Sequence, residues 1–143
     1  MGKMRIGVIG SGATATALVR GWREPVLCAA ADPARAAELA AEAGGEALTD
    51  YAAVARDSDV VVLCHEPAQL TAIARAVAPY TPIVVSTLAA TPLEVVRNAY
   101  PNRPVYRAAA SPPCEVRHGV TVFAAAPKPR TARSMRSSRA LER

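Results

Sequence analysis

Apolar residues along this chain form short continuous runs, separated by segments in which apolar residues recur at helical spacing. Six runs have the length and content of strands, and they cover residues 4–9, 26–31, 59–64, 82–87, 104–108 and 119–124. The intervening helical segments cover residues 15–22, 33–43 and 51–56, then a helix that starts at residue 66 or 67 and runs to 77, and one over residues 91–99. Strands and helices that alternate in this way predict an α/β fold with a doubly wound, mostly parallel sheet in a single domain.

The first apolar run ends in a glycine-rich turn, Gly10-Ser11-Gly12-Ala13-Thr14-Ala15, with the pattern G-x-G-x-x-A. Gly10 permits the turn, Gly12 leaves room for a pyrophosphate, and the N-terminus of the following helix offers N–H groups to the phosphates. Asp32 lies twenty residues after Gly12, where an acidic ribose ligand is expected. This order predicts a Rossmann-like dinucleotide site, and a tight turn without a ligand is the alternative.

Further cofactor contacts are expected after the next strands, because ligands of doubly wound sheets bind outside the carboxyl ends of the strands. His65, Glu66 and Pro67 follow the third run, and Ser86 lies near the end of the fourth. His65 can exchange a proton near neutral pH, although a histidine there can equally serve the turn. Ser86 either hydrogen-bonds the cofactor or caps the sheet, and Glu66 suits a helix N-terminus. No catalytic residue is assigned.

Composition and charge narrow the function classes. Hydrophobic residues make up 51% of the 143 residues and aromatic residues only 4%, so the core must be aliphatic. Residues 127–143 hold six basic side chains and one acidic, and therefore carry the whole net charge of +5. We predict a dinucleotide-binding domain over residues 1–126 and a basic tail or degenerate last helix over residues 127–143. A solvated tail without aromatic residues indicates no specific nucleic-acid partner.

The cysteines, the apolar runs and the N-terminal residues predict the cellular compartment. Cys28, Cys64 and Cys114 are odd in number and far apart, which favours reduced thiols, and their spacing indicates no metal site. No apolar run approaches the length of a membrane span, and the N-terminus lacks the pattern of a signal peptide. We therefore expect a cytoplasmic protein without a membrane partner.

Four blocks of sequence together resemble the N-terminal domain of pyrroline-5-carboxylate reductases. In chain order they read MRIGVIGSGATATALVRG, DSDVVVLCHEP, PIVVSTLAAT and SPPCEVRHGVT. The resemblance implies a Rossmann domain that binds NADPH or NADH, followed in full-length members by a helical dimerisation domain. It also implies hydride transfer to the C=N bond of a small-molecule imine in proline biosynthesis, and it allows a homodimer.

The sequence departs from that family where the cofactor would be held. Ala13-Thr14 replaces Asn-Met, and Glu66-Pro67 replaces Lys-Pro. The family carries an Arg shortly after the second strand, but here Asp32 is followed directly by Pro33. Arg35 is then the remaining candidate to bind a 2′-phosphate, and the choice between NADPH and NADH stays open. We expect a reductase truncated before the helical domain. The alternative is a non-catalytic dinucleotide-binding module that needs a partner for substrate binding.

Overall fold

The computed structural model describes residues 4–22, 24–81, 83–110 and 121–125. The strands are β1 (Ile6–Ile9), β2 (Val26–Ala29), β3 (Glu46–Ala47), β4 (Val60–Leu63), β5 (Val84–Ser86), β6 (Val105–Ala110) and β7 (Thr121–Ala125). The helices are α1 (Ala13–Trp22), α2 (Pro33–Ala43), α3 (Tyr51–Arg56), α4 (Leu70–Val77) and α5 (Leu93–Ala99), with a 3-10 turn at Pro67–Gln69. The predicted domain boundary near residue 126 and the basic tail lie outside these residues.

Within the described residues, seven strands form one sheet in the order β3-β2-β1-β4-β5-β6-β7. Strands β1 to β6 are parallel, and β7 pairs antiparallel with β6. The chain builds outward from β1 to β3 and then returns to place β4 on the other side of β1. The order therefore reverses between β1 and β4, which is where ligands bind in such sheets. The doubly wound, mostly parallel fold that the sequence predicted is confirmed.

The core lies on both faces of the sheet, as expected for parallel strands covered by helices. On one face, Val8 of β1 packs in a buried cluster with Val19 of α1 and Leu39 of α2. On the other face, α3, α4 and α5 cover the sheet, and Ile9 and Leu63 belong to the larger buried cluster. Both clusters are mostly aliphatic, with Tyr100 as the large aromatic exception, and they bury β1 from both faces of the sheet.

Side-chain caps set the helix boundaries that the sequence indicated. The carboxylate of Asp32 accepts a hydrogen bond from the Ala34 N–H at 3.0 Å, and that of Asp50 accepts one from Ala52 at 2.9 Å. Gly44 ends α2 in the left-handed conformation with φ of 73°. Strand β3 was not predicted, because two residues carry no periodicity.

Candidate dinucleotide-binding site

Gly10 is required by the close approach of two strand ends. Its φ is +117°, a conformation that residues with a side chain rarely adopt. A Cβ at Gly10 would lie 2.5 Å from the carbonyl carbon of Cys64 and 2.8 Å from the amide nitrogen of His65. The Gly10 N–H donates to the carbonyl of Ala29 at 2.8 Å. The turn after β1 is thus wedged between the ends of β2 and β4.

Gly12 is a glycine that packing does not demand. A Cβ at this position would lie more than 4 Å from every described residue that is not its neighbour in the sequence. The Gly12 carbonyl accepts hydrogen bonds from the Thr16 N–H at 3.0 Å and the Thr16 hydroxyl at 2.9 Å, which begins the hydrogen bonding of α1. The N–H groups of Ala13, Thr14 and Ala15 precede Thr16, so they have no acceptor within the helix. Open space beside such donors fits a pyrophosphate.

Asp32 and Arg35 bring opposite charges beside the glycine-rich turn. Both side chains are exposed at the start of α2. The Arg35 guanidinium donates to the Ser11 carbonyl at 3.1 Å, across 24 positions of sequence. A carboxylate suits a ribose 2′-hydroxyl, whereas a guanidinium suits a 2′-phosphate. The end of β2 therefore carries a group for either cofactor, but one Asp32 oxygen is already engaged in capping α2.

His65 lies directly after β4 and is only 9% exposed. Its Nδ1 is 2.8 Å from the carbonyl oxygen of Glu66, and because a carbonyl only accepts, Nδ1 carries the hydrogen. Nε2 is therefore an acceptor, and it is buried without a hydrogen-bond partner in residues 4–22, 24–81, 83–110 and 121–125. Burial lowers the pKa of His65, and the hydrogen bond to Glu66 opposes that shift in part. The imidazole is accordingly neutral at neutral pH.

The segment after His65 forms a 3-10 turn at the carboxyl end of β4. Glu66 and Pro67 are exposed, and the Glu66 N–H donates to the side-chain oxygen of Gln69 at 3.3 Å. The Gln69 N–H donates back to the Glu66 carbonyl at 2.9 Å, which closes the 3-10 turn. Glu66 thus lies at a helical start, as the sequence indicated, and its carboxylate is at the same sheet edge as the glycine-rich turn.

The end of β5 is tied to the end of β4. The Ser86 hydroxyl is fully buried and accepts a hydrogen bond from the Leu88 N–H at 3.3 Å. The Thr87 hydroxyl donates to the Leu63 carbonyl at 2.7 Å and also lies 3.3 Å from the Cys64 sulfur. Ser86 therefore serves the turn, and its contact with a cofactor stays a prediction.

The two described cysteines are free thiols, Cys28 buried and Cys64 partly buried. Desolvation raises the pKa of Cys28 and of Cys64 to about 11. Among the described residues, no group of three or more His, Cys, Asp or Glu side chains could hold a metal ion. No helix in the described ranges is long and apolar enough to cross a bilayer.

One edge of the sheet therefore collects the candidate residues from four sites in the sequence: residues 10–14, Asp32 with Arg35, residues 65–67, and Ser86. Two features here had no signal in the sequence. The bond between Arg35 and Ser11 depends on how α2 packs beside the turn, and the unpartnered Nε2 of His65 depends on the course of the loop after β4. The sequence indicated only that an arginine and a histidine stand at these positions, and it did not indicate their contacts.

Comparison with known proteins identifies a matching family model and similar solved structures. The family model of NADP oxidoreductases, coenzyme F420-dependent, matches residues 5–90. A search of curated proteins by sequence found no match. The pyrroline-5-carboxylate reductase of Coxiella burnetii superimposes with a TM-score of 0.77 at 19% identity, covering 95% of this chain and 54% of that one. The Plasmodium falciparum pyrroline carboxylate reductase with NADP bound superimposes with a TM-score of 0.77 at 14% identity, covering 96% of this chain and 53% of that one.

A third similar structure is the reductive aminase of Aspergillus terreus in complex with NADPH, with a TM-score of 0.69 at 15% identity and coverage of 99% of this chain and 53% of that one. The chain thus spans about half the length of these solved structures. At such low identity the likeness shows the fold, and it confirms the predicted likeness to reductases of pyrroline-5-carboxylate at that level. Because the family model covers more than half of the chain, from β1 through β5, this chain belongs to the family of NADP oxidoreductases, coenzyme F420-dependent.

Proposed function

We propose that this chain binds NADPH or NADH at the carboxyl edge of its sheet, as the cofactor domain of a reductase that transfers hydride to a C=N bond. The observation that carries the proposal is Gly12. In the part of the chain that the structure describes, no residue other than the sequence neighbours of Gly12 would lie within 4 Å of a Cβ there, and the first N–H groups of α1 are adjacent to it. This space occurs where the strand order reverses, between β1 and β4.

The strand order supports one direction for the bound cofactor. With the pyrophosphate over residues 11–14, the adenosine half extends toward β2, where Asp32 and Arg35 are placed. The nicotinamide half then extends over the end of β4, where residues 65–67 follow the strand. Ser86 lies one strand further along the same edge, under the expected position of the nicotinamide.

Selection between the two cofactors depends on Asp32 and Arg35. The Asp32 carboxylate accepts hydrogen bonds from a ribose 2′-hydroxyl and repels a 2′-phosphate. The Arg35 guanidinium, held at 3.1 Å from the Ser11 carbonyl, is close enough to the turn to offset that repulsion. We therefore expect both cofactors to bind, with at most a weak preference for NADPH.

The proposed reaction divides the work between cofactor and protein. A reduced nicotinamide supplies the hydride, while the protein fixes the geometry of donor and acceptor. Likeness to a reductive aminase and to pyrroline-5-carboxylate reductases supports a cyclic or open-chain imine as the small-molecule substrate. The sequence resemblance to pyrroline-5-carboxylate reductases implies a helical dimerisation domain, and hence a homodimer, as the source of the remaining substrate contacts. No observation in the structure favours the non-catalytic module.

A cofactor titration together with a turnover assay tests the proposal on residues 1–143. We expect NADPH and NADH to quench or shift protein fluorescence saturably, with affinities within a factor of about ten. Near-attack geometry contributes roughly 7 to 11 kcal/mol to catalysis, so a domain that fixes only the donor should reduce pyrroline-5-carboxylate slowly. We expect turnover below about 1 per second.

The cofactor titration and the turnover assay test different parts of the proposal. No binding up to millimolar cofactor overturns the proposed function. Turnover faster than that limit, in protein purified free of host reductase, shows instead that residues 1–143 alone hold both reactants.

A further inference from the structure

His65 has a hydrogen-bonding capacity that the described chain does not use. The side chain is 9% exposed, and its Nδ1–H is committed to the Glu66 carbonyl at 2.8 Å. The remaining nitrogen, Nε2, presents a buried lone pair without a partner. A buried polar atom left unpaired costs free energy, so it needs an explanation. In the described residues the Ser58 and Tyr100 hydroxyls share this state, but Ser58 precedes β4 and Tyr100 follows α5, whereas His65 follows β4 at the candidate site. The feature points to a donor that the described residues do not supply.

The position of His65 limits what that donor can be. Its amide nitrogen lies 2.8 Å from the point where a Cβ of Gly10 would stand, so His65 is adjacent to the glycine-rich turn. On the proposed function, on which this inference rests, the pyrophosphate lies over that turn and the nicotinamide half crosses from β1 to β4. The first part of the cofactor beyond the pyrophosphate in that direction is the nicotinamide-side ribose.

We infer that Nε2 of His65 accepts a hydrogen bond from a hydroxyl of the nicotinamide-side ribose of the bound dinucleotide. A phosphate does not fit, because phosphate oxygens only accept and Nε2 carries no hydrogen in this tautomer. Nε2 is enclosed in the structure, so the contact requires a local shift of the ring or of the loop that follows it.

Fragments of the cofactor test this contact. ADP contains the adenosine and pyrophosphate, whereas ADP-ribose adds the second ribose without the nicotinamide. Titration calorimetry on residues 1–143 would measure the affinity of ADP, ADP-ribose and NADH for the original chain, His65→Leu and His65→Gln. Leucine removes both ring nitrogens, and glutamine retains a side-chain oxygen as an acceptor. Unchanged ADP binding serves as the control that the variant is folded and that its glycine-rich turn is intact.

The expected result is specific to the second ribose. One neutral hydrogen bond corresponds to a factor of about three to ten, so His65→Leu should weaken ADP-ribose and NADH by that factor. ADP should stay within about twofold, and His65→Gln should recover part of the loss.

Three results would overturn the inference. Equal weakening of ADP would show that His65 only shapes the turn, and weakening of NADH alone would assign the donor to the nicotinamide amide. Unchanged ADP-ribose binding would show that Nε2 does not meet the ribose. Failure of the original chain to bind any of the three ligands would instead refute the proposed function.

Discussion

Replacing Gly12 by valine separates ligand binding from folding. A side chain at this position meets no protein atom within 4 Å, so it projects into the space assigned to the pyrophosphate. The change also places a poor N-cap residue before α1, which costs about 1 kcal/mol of folding free energy. We therefore expect Gly12→Val to fold nearly as well as the original chain and to lose its affinity for NADPH and NADH.

The size of that loss follows from the donors beside Gly12. Hydrogen bonds to a charged phosphate contribute about 1.5 to 3 kcal/mol each. Displacing the pyrophosphate from two of the N–H groups at Ala13, Thr14 and Ala15 then costs roughly 3 to 6 kcal/mol, which is roughly a hundred- to ten-thousand-fold in Kd. Titration calorimetry gives the Kd, and urea unfolding gives the stability of the same sample.

Gly44 offers a matched control. A Cβ there also meets no atom within 4 Å, but Gly44 ends α2 and leads into β3, at the opposite edge of the sheet. Its φ of 73° is one that asparagine tolerates, so Gly44→Asn should fold and bind cofactor normally. Cofactor affinity of Gly12→Val within about threefold of the original chain would refute the reasoning, because the pyrophosphate would then lie elsewhere.

Three further predictions concern selectivity, strain and thiol reactivity. Arg35→Ala should weaken NADPH by about tenfold relative to NADH, and equal Kd changes for both would exclude a 2′-phosphate contact. Ala90 has φ of 49°, so Ala90→Gly should raise the urea-unfolding free energy by about 0.5 to 1 kcal/mol; a decrease would show that no strain exists there. With pKa values of about 11, Cys28 and Cys64 in a Cys114→Ser background should react with a thiol reagent at about pH 8 roughly a hundredfold more slowly than after unfolding. Equal rates would mean that these thiols are not buried.

Most of the fold could be predicted because its signals are local. Asp32 and Asp50 cap α2 and α3 as their positions before helical segments indicated, and Gly44 ends α2. The continuous apolar runs predicted parallel strands, since only strands buried on both faces are apolar throughout. The reversed direction of β7 had no such signal, because the side-chain period of a strand is the same in either direction.

The site was predictable as a set of residues and not as a set of contacts. Gly10 and Gly12 belong to one motif, yet only the structure separates their roles: one is needed by the backbone of Cys64 and His65, the other leaves open space. The bond from Arg35 to Ser11 spans 24 positions and depends on how α2 lies against the turn. Nothing in a single sequence reports the geometry of such a tertiary contact.

A crystal structure of residues 1–143 grown with NADPH would test the central claim most directly. We expect pyrophosphate oxygens above Gly12, within hydrogen-bonding distance of the N–H groups of Ala13 and Thr14, with the nicotinamide half directed over the end of β4. A cofactor bound at another surface, or no cofactor density above Gly12 at millimolar NADPH, would contradict the assignment of this edge as the dinucleotide site.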